Sequence, residues 1–338
     1  MLKKLFISGI ACNRQDYLPL DAAKKLISLL LTVSLLLYLS ACGTKQVGSA
    51  ADDNNKIKIV ATLFPQYDFV KQIAGDKADV RLLLPPGMES HAFEPSPKDI
   101  VDIKKTGMFI YTGQFMEPWV DRIINETSGS GVVIVDASQG IQLMDEDEQE
   151  HEEGGEEDHE GKDPHIWLDP LNAVKMVENL VEGLVKADSD NESFYRENGE
   201  TYKKRLRELD GKFAEAFGKI KNKRIIYGGH FAFGYFAKRY GLEYISPYGG
   251  FAPDAEPNPQ RIAELIRNIE ESGSKYIFYE ELVEPKVAKV IAHETGAGML
   301  LLHGAHNISR DELKKGITYI GIMEDNLKKL KQGLGYSE

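Results

Sequence analysis

From Lys56 onward the chain alternates short apolar runs with stretches of helical spacing, and this alternation limits what it can fold into. "KIKIVAT", "VRLLL", "MFIYTG" and "VVIVDA" succeed one another in the first part, and "RIIYGG", "EYISP", "KYIFYE" and "GMLLLH" in the second. Mainly apolar runs of five to seven residues separated by amphipathic segments predict parallel strands covered by helices, an open α/β sheet. Two such series predict two α/β lobes, 56–190 and 221–338. Between them the sequence predicts two consecutive helices. The first takes Asp169 as N-cap and Pro170 at its first position. The second runs from about Glu192 to Ile220, with Tyr202, Leu206, Leu209, Phe213, Ala216 and Ile220 spaced by three or four. At 1.5 Å per residue it is a strut about 40 Å long, linking the lobes over 191–220. A further helix is expected from Pro259 to about Ser272, with Asn258 as N-cap and Gly273 just past the end.

The segment before the first lobe reads as an address. Lys24 and Lys25 precede the fourteen-residue run "LISLLLTVSLLLYL", too short for a permanent bilayer span, which needs about 20 residues, and of the right length for a signal peptide. It closes on "LSAC", which resembles the cleavage and lipidation box of bacterial lipoproteins. Residues 1–41 are then the signal peptide, overlong at its start, and Cys42 the first mature, lipidated residue. Residues 42–55 form a flexible tether to the outer face of the cell membrane. With Cys42 lipidated and Cys12 removed, the mature chain retains no thiol, so a transition-metal site has to be built from His and carboxylates.

The formal net charge is -12, and it is unevenly spread. Eleven Asp or Glu and no Lys or Arg lie between Asp145 and Glu160, so the remainder is close to neutral. A basic surface is what nucleic-acid binding requires, and none is indicated. The acidic stretch, 143–162, carries His151 and His159 and has no apolar anchor, so it reads as a solvated loop or a weak cation collector.

Three histidines and a carboxylate stand where α/β proteins present ligands, in loops beyond the carboxyl ends of strands. His91 lies in "PPGMESHAFEPSP", His165 in "DPHIWLDP", His230 directly after "RIIYGG", and Glu280 ends "KYIFYE". Three imidazoles and a carboxylate are a tetrahedral zinc inventory. Glu281 competes with Glu280, but strand alternation sends neighbours to opposite faces, so only one is expected in the cleft. His303 and His306 follow the last strand, where exposed loop polarity is enough to explain them, and His293 sits at a helix end.

"PPGMESHAFEPSPKD", "MEPW", "DPHIWLDP", "GGHFAFGYFAKRYGLE" and "PDAEPNPQRIAELI", in this order, resemble the landmarks of the metal-binding solute receptors of ABC transporters, specifically the zinc-receptor lipoproteins. The resemblance implies two α/β lobes joined by a rigid backbone helix, with Zn2+ in the cleft, no enzymatic activity, and delivery of zinc to a cognate permease and its ATPase. It implies His91, His165 and His230 as ligands, with Glu280 matching the fourth. Manganese receptors of this kind typically replace the third histidine with Glu, and His230 argues for zinc. A manganese receptor, a zinc hydrolase and a surface adhesin are the alternatives. The hydrolase lacks an H-E-x-x-H helix and an evident general base.

Overall fold

Four of the apolar runs pair as one parallel sheet in a computed structural model, which describes Asp21 and residues 56–145, 161–248 and 257–336. The strands are β1 (Ile57–Ala61), β2 (Ala78–Leu82), β3 (Met108–Tyr111) and β4 (Val133–Asp136), in the order β2-β1-β3-β4. The register sets Ile57 opposite Ala78, Ile59 opposite Met108, and Met108 opposite Val133. Parallel neighbours need a crossover. Helices α1 (Phe64–Ala74), α2 (Pro97–Ile103) and α3 (Val120–Thr127) serve as crossover connections. All four residues of β3 are buried, which is why its sequence is a continuous apolar run rather than an alternating one.

Two helices follow the first sheet. In α4 (Pro170–Ala187) the Asp169 side chain accepts from the Leu171 N–H, so the cap read from the sequence is present. The strut is α5 (Glu192–Lys219), ending as its periodicity requires, with Ile220 at the C-cap. Its first half packs on α1, where Tyr202 meets Phe69 with ring centroids 5.6 Å apart and Asn198 donates to the Ile73 carbonyl at 2.9 Å.

The second sheet is built from β5 (Arg224–Ile226), β6 (Glu243–Ile245), β7 (Tyr276–Tyr279) and β8 (Gly298–Leu301). β5 pairs with β6 and β7 with β8, all parallel, and a bridge between Tyr227 and Phe278 joins the pairs. Helices α6 (Gly234–Tyr240), α7 (Pro259–Ser272) and α8 (Lys286–Thr295) accompany it, followed by α9 (Arg310–Lys315) and α10 (Tyr319–Gly333). Asn258 caps α7 by accepting from Gln260 and Arg261, and Gly273 closes it in the left-handed conformation at φ 65°. The far half of α5 stacks on α6, with Phe213 and Phe236 4.9 Å apart edge to face. One helix thus touches the layers of both sheets, and residues 55–338 form a single compact unit.

The "MEPW" landmark has a structural role. Glu117 is buried, and its carboxylate accepts from the Thr62 hydroxyl and from the Thr112 and Gly113 N–H groups at 3.1 Å. It ties the carboxyl ends of β1 and β3, although burial pushes its own pKa up to about 7 against those hydrogen bonds. Removing it strands two buried donors, Thr62 and Thr112, and the half-buried Gly113 N–H, each costing about 1–3 kcal/mol. Glu117→Ala is therefore expected to lower unfolding stability by about 3 kcal/mol or more, read as a shift of the urea midpoint.

Candidate metal centre

Both sheets are parallel, so their carboxyl-terminal loops emerge along the same edges, and these loops supply the site. His91 comes from the loop after β2, His165 from the segment after β4, His230 from the loop after β5 and His306 from the loop after β8. Each is held by its own local device. The Glu89 carboxylate accepts from the His91 and Ala92 N–H groups at 2.8 Å, closing the turn that carries His91. His165 stands in the N-cap position of a short 3₁₀ turn, Ile166–Leu168. Asp163 receives both its backbone N–H at 2.9 Å and its ring Nδ1 at 2.7 Å. The hydroxyl of Tyr235 donates to the Asp163 carbonyl at 2.7 Å. Gly234 leaves space for that carboxylate, since a Cβ there would stand 2.6 Å from Asp163 Oδ2.

The loop after β8 is pinned across the molecule. Asn307 Nδ2 donates to the carbonyls of Pro85 at 2.7 Å and Met88 at 2.9 Å, in the loop that bears His91. The Phe64 N–H donates to the His306 carbonyl at 3.2 Å and Gly87 N–H to that of Ile308 at 2.9 Å. Trp167 Nε1 donates to the Gly304 carbonyl at 2.8 Å and its ring lies edge-on to His306, centroids 5.3 Å apart. These bonds bring His306 to residues more than a hundred positions earlier.

The four imidazoles converge. Ring centroids are 5.3 Å apart for His91 and His165, 5.6 Å for His91 and His230, 5.8 Å for His91 and His306, 5.3 Å for His165 and His230, and 4.9 Å for His165 and His306. The nitrogens of His91, His165 and His306 form the tightest set, all within 4.8 Å of one another. The Nε2 atoms of His91 and His165 are 3.3 Å apart. Two nitrogens on one tetrahedral zinc, at about 2.0–2.1 Å each, are about 3.3–3.4 Å apart, so this edge is already of the right length. With Nδ1–H of His165 donated to Asp163, its Nε2 lone pair faces the cluster. His306 Nε2 is buried and has no hydrogen-bond partner among the described residues, as befits a donor atom for a metal.

Both carboxylates read from the sequence line the same cavity of about 260 Å³ with His91, His230 and His306. The expectation that only one of Glu280 and Glu281 reaches the cleft is therefore corrected: β7 ends at Tyr279, and strand alternation no longer governs the bend that follows. Glu280 Oε1 accepts from the His230 N–H at 3.2 Å, and burial pushes its pKa up to about 7 against that bond. Glu281 is buried; its Oε2 accepts from the Gly304 N–H at 2.7 Å and its Oε1 lies 3.3 Å from His306 Nδ1. Burial alone would raise its pKa, but His303, His306 and the Gly304 N–H override it and bring it to about 2. The mouth is apolar: Met88, Leu282 and Val283 are among the exposed large hydrophobic side chains.

His306 is the residue that sequence reasoning passed over. The expectation that His303 and His306 are exposed loop residues is also corrected: their side chains are only 6% and 14% exposed. The spacing His303-x-x-His306 beyond a strand end was the available signal. His293, by contrast, lies out in solvent on α8. His151, His159 and Cys42 lie outside the described residues.

Buried and half-buried imidazoles converging between two parallel-sheet layers, with carboxylates beside them, define a protein built to hold a metal ion. Comparison with known proteins makes that class specific. Residues 59–333 match the family model described as ZnuA, zinc-uptake complex component A periplasmic, and the chain belongs to that family. It is 39% identical over 315 residues to the high-affinity zinc uptake system protein ZnuA of Bacillus subtilis, covering 92% of this chain and 98% of that one. To the zinc-binding lipoprotein AdcA of Streptococcus pneumoniae it is 35% identical over 311 residues, 91% of this chain but only 61% of that longer protein. The crystal structure of the Zn(II)-bound ZnuA-like domain of AdcA superposes with a TM-score of 0.69 at 34% identity, covering 82% of this chain and 99% of the domain.

Burial, with the charge that a protonated His306 would place beside it, pulls the His91 pKa down to about 4, and burial likewise holds His165 well below the ordinary histidine value. The rings are thus uncharged at neutral pH, ready to donate lone pairs. In the metal-free protein the His91 Hε1 resonance should titrate with a midpoint near pH 4, measured by NMR. A midpoint at the free-histidine value of about 6.5 would mean the ring is solvated.

Proposed function

We propose that this chain is an extracytoplasmic receptor that binds Zn2+ with high affinity and delivers it to an ABC permease and its ATPase for uptake. The observation that carries the reading is the convergence of His91, His165, His230 and His306, an all-nitrogen set that suits zinc better than oxygen-seeking manganese. We assign the four imidazoles as the ligands. Glu280, expected as the fourth ligand from the sequence, then serves on the cavity wall as an oxygen donor to the arriving ion. The lobes 56–190 and 221–338, joined over 191–220, close the ion between them, and Cys42 carries the lipid that keeps the receptor at the outer face of the cell membrane.

Competitive titration of the metal-free mature protein tests ion identity directly. One zinc ion should bind with a free energy on the order of 10 kcal/mol or more near neutral pH, and zinc should displace manganese. Tighter manganese binding would replace this reading with that of a manganese receptor. Replacing His165 or His306 by Ala should cost more than the roughly 10–100-fold typical of losing an outer partner of a metal ligand.

The acidic run 143–162, with His151 and His159, acts in this proposal as a weak collector that raises cation concentration near the cleft. Deleting residues 145–160 should leave the single tight site unchanged in calorimetry and abolish only weak additional binding. Substituting Cys42 by Ala should release the receptor from the membrane fraction and abolish incorporation of labelled palmitate.

A further inference from the structure

A receptor whose ligands are four imidazoles has a charge problem, because a dication buried among these ligands, which bind it only as neutral donors, has no first-contact carboxylate to neutralise it. Two buried carboxylates stand immediately behind the rings. Asp163 lies behind His165, with Oδ1 2.7 Å from Nδ1, and Glu281 lies behind His306, with Oε1 3.3 Å from Nδ1. Their combined charge equals and opposes that of one zinc ion.

We propose that Glu281 is the positioning residue of the site: it accepts the Nδ1–H of His306, thereby turns the Nε2 lone pair toward the ion, and with Asp163 balances the dication from behind the ligands. The inference rests on the four-imidazole reading above. The neighbouring hydrogen bonds leave little freedom in the proton's position. His303 Nδ1 is also near Glu281, at 3.5 Å, but it already accepts from the Ala305 N–H at 2.9 Å. That nitrogen is therefore unprotonated in neutral His303, whose proton sits on Nε2, 3.8 Å from Glu312 Oε1. The other oxygen of Glu281 is taken by the Gly304 N–H. Among the described residues, His306 Nδ1 is thus the one ring donor left for Oε1.

The backbone is shaped around this contact. A Cβ at Gly304 would stand 2.6 Å from His306 Cε1 and 2.7 Å from its Nδ1, so only glycine lets the ring lie against the loop. Leu282 and Ala305, each adjacent to one partner, hold left-handed backbone at φ 61° and 57°. Such strain persists in a non-glycine residue only where surrounding contacts enforce it.

Two measurements decide the matter. In the metal-free wild-type protein, nitrogen-15 NMR of the histidine rings should find His306 protonated on Nδ1; protonation on Nε2 would overturn the proposal without any mutation. Glu281→Gln keeps the shape but sets an amide N–H against either the Gly304 N–H or His306 Nδ1, and the second arrangement selects the wrong tautomer. It should lower zinc affinity about 10–100-fold and shift the His306 proton toward Nε2, with the circular dichroism of the fold retained. In a His306→Ala background the same substitution should have a much smaller effect, because its action passes through that ring. If His306→Ala leaves affinity unchanged, the four-imidazole assignment itself fails. If it lowers affinity while Glu281→Gln in the wild-type background leaves affinity and tautomer as they were, this inference fails alone.

Discussion

The constraint on which the rest depends is that imidazoles can share a buried pocket only while uncharged and only if each ring is held by something other than water. Desolvation secures the first condition at His91 and His165. The second is met by a hydrogen bond at each residue, from the ring to Asp163 at His165 and to Glu281 at His306, and from the backbone N–H to Glu89 at His91 and to Glu280 at His230. Residues tied down in this way cannot reorganise freely toward an ion, so much of the cost of gathering the ligands is met during folding.

Folding meets that cost through the geometry of parallel sheets. Strands running the same way must all return through crossovers, so the loops bearing His91, His165, His230 and His306 open on the carboxyl edges. The strut α5 holds the two layers by packing its halves on α1 and on α6. The clamp closes the arrangement: Asn307 on the carbonyls of Pro85 and Met88, and Trp167 on that of Gly304. Because these bonds join loops to loops, the site's dimensions depend on the seating of the two layers as well as on the residues that line it.

Periodicity made the fold legible. Every apolar run named from the sequence became a strand, and the caps at Asp169, Asn258 and Gly273 fell where residue chemistry required them. Three members of the histidine cluster were legible for a related reason, since each follows a strand within a loop bounded by Pro or Gly. His306 was not, because its neighbours in "LLHGAHNIS" look like ordinary loop polarity, while the rings packed against it, His91, His165 and Trp167, lie far away in the chain. Glu280 and Glu281 do not point to opposite faces as strand alternation would have them, because the strand ends at Tyr279 and the bend that follows lets both carboxylates line one cavity.

By itself, the sequence determined a parallel α/β architecture, a thiol-poor chain after Cys42, and a metal site that must rest on nitrogen and oxygen, because these follow from local pattern and residue chemistry. The tertiary structure decided which histidines meet, which carboxylate stands behind which ring, and therefore which nitrogen faces the cluster. Those choices are set by hydrogen bonds between segments more than 200 residues apart in the chain, such as Asn307 with Pro85 and His306 with Phe64, and no local pattern encodes a contact over that distance.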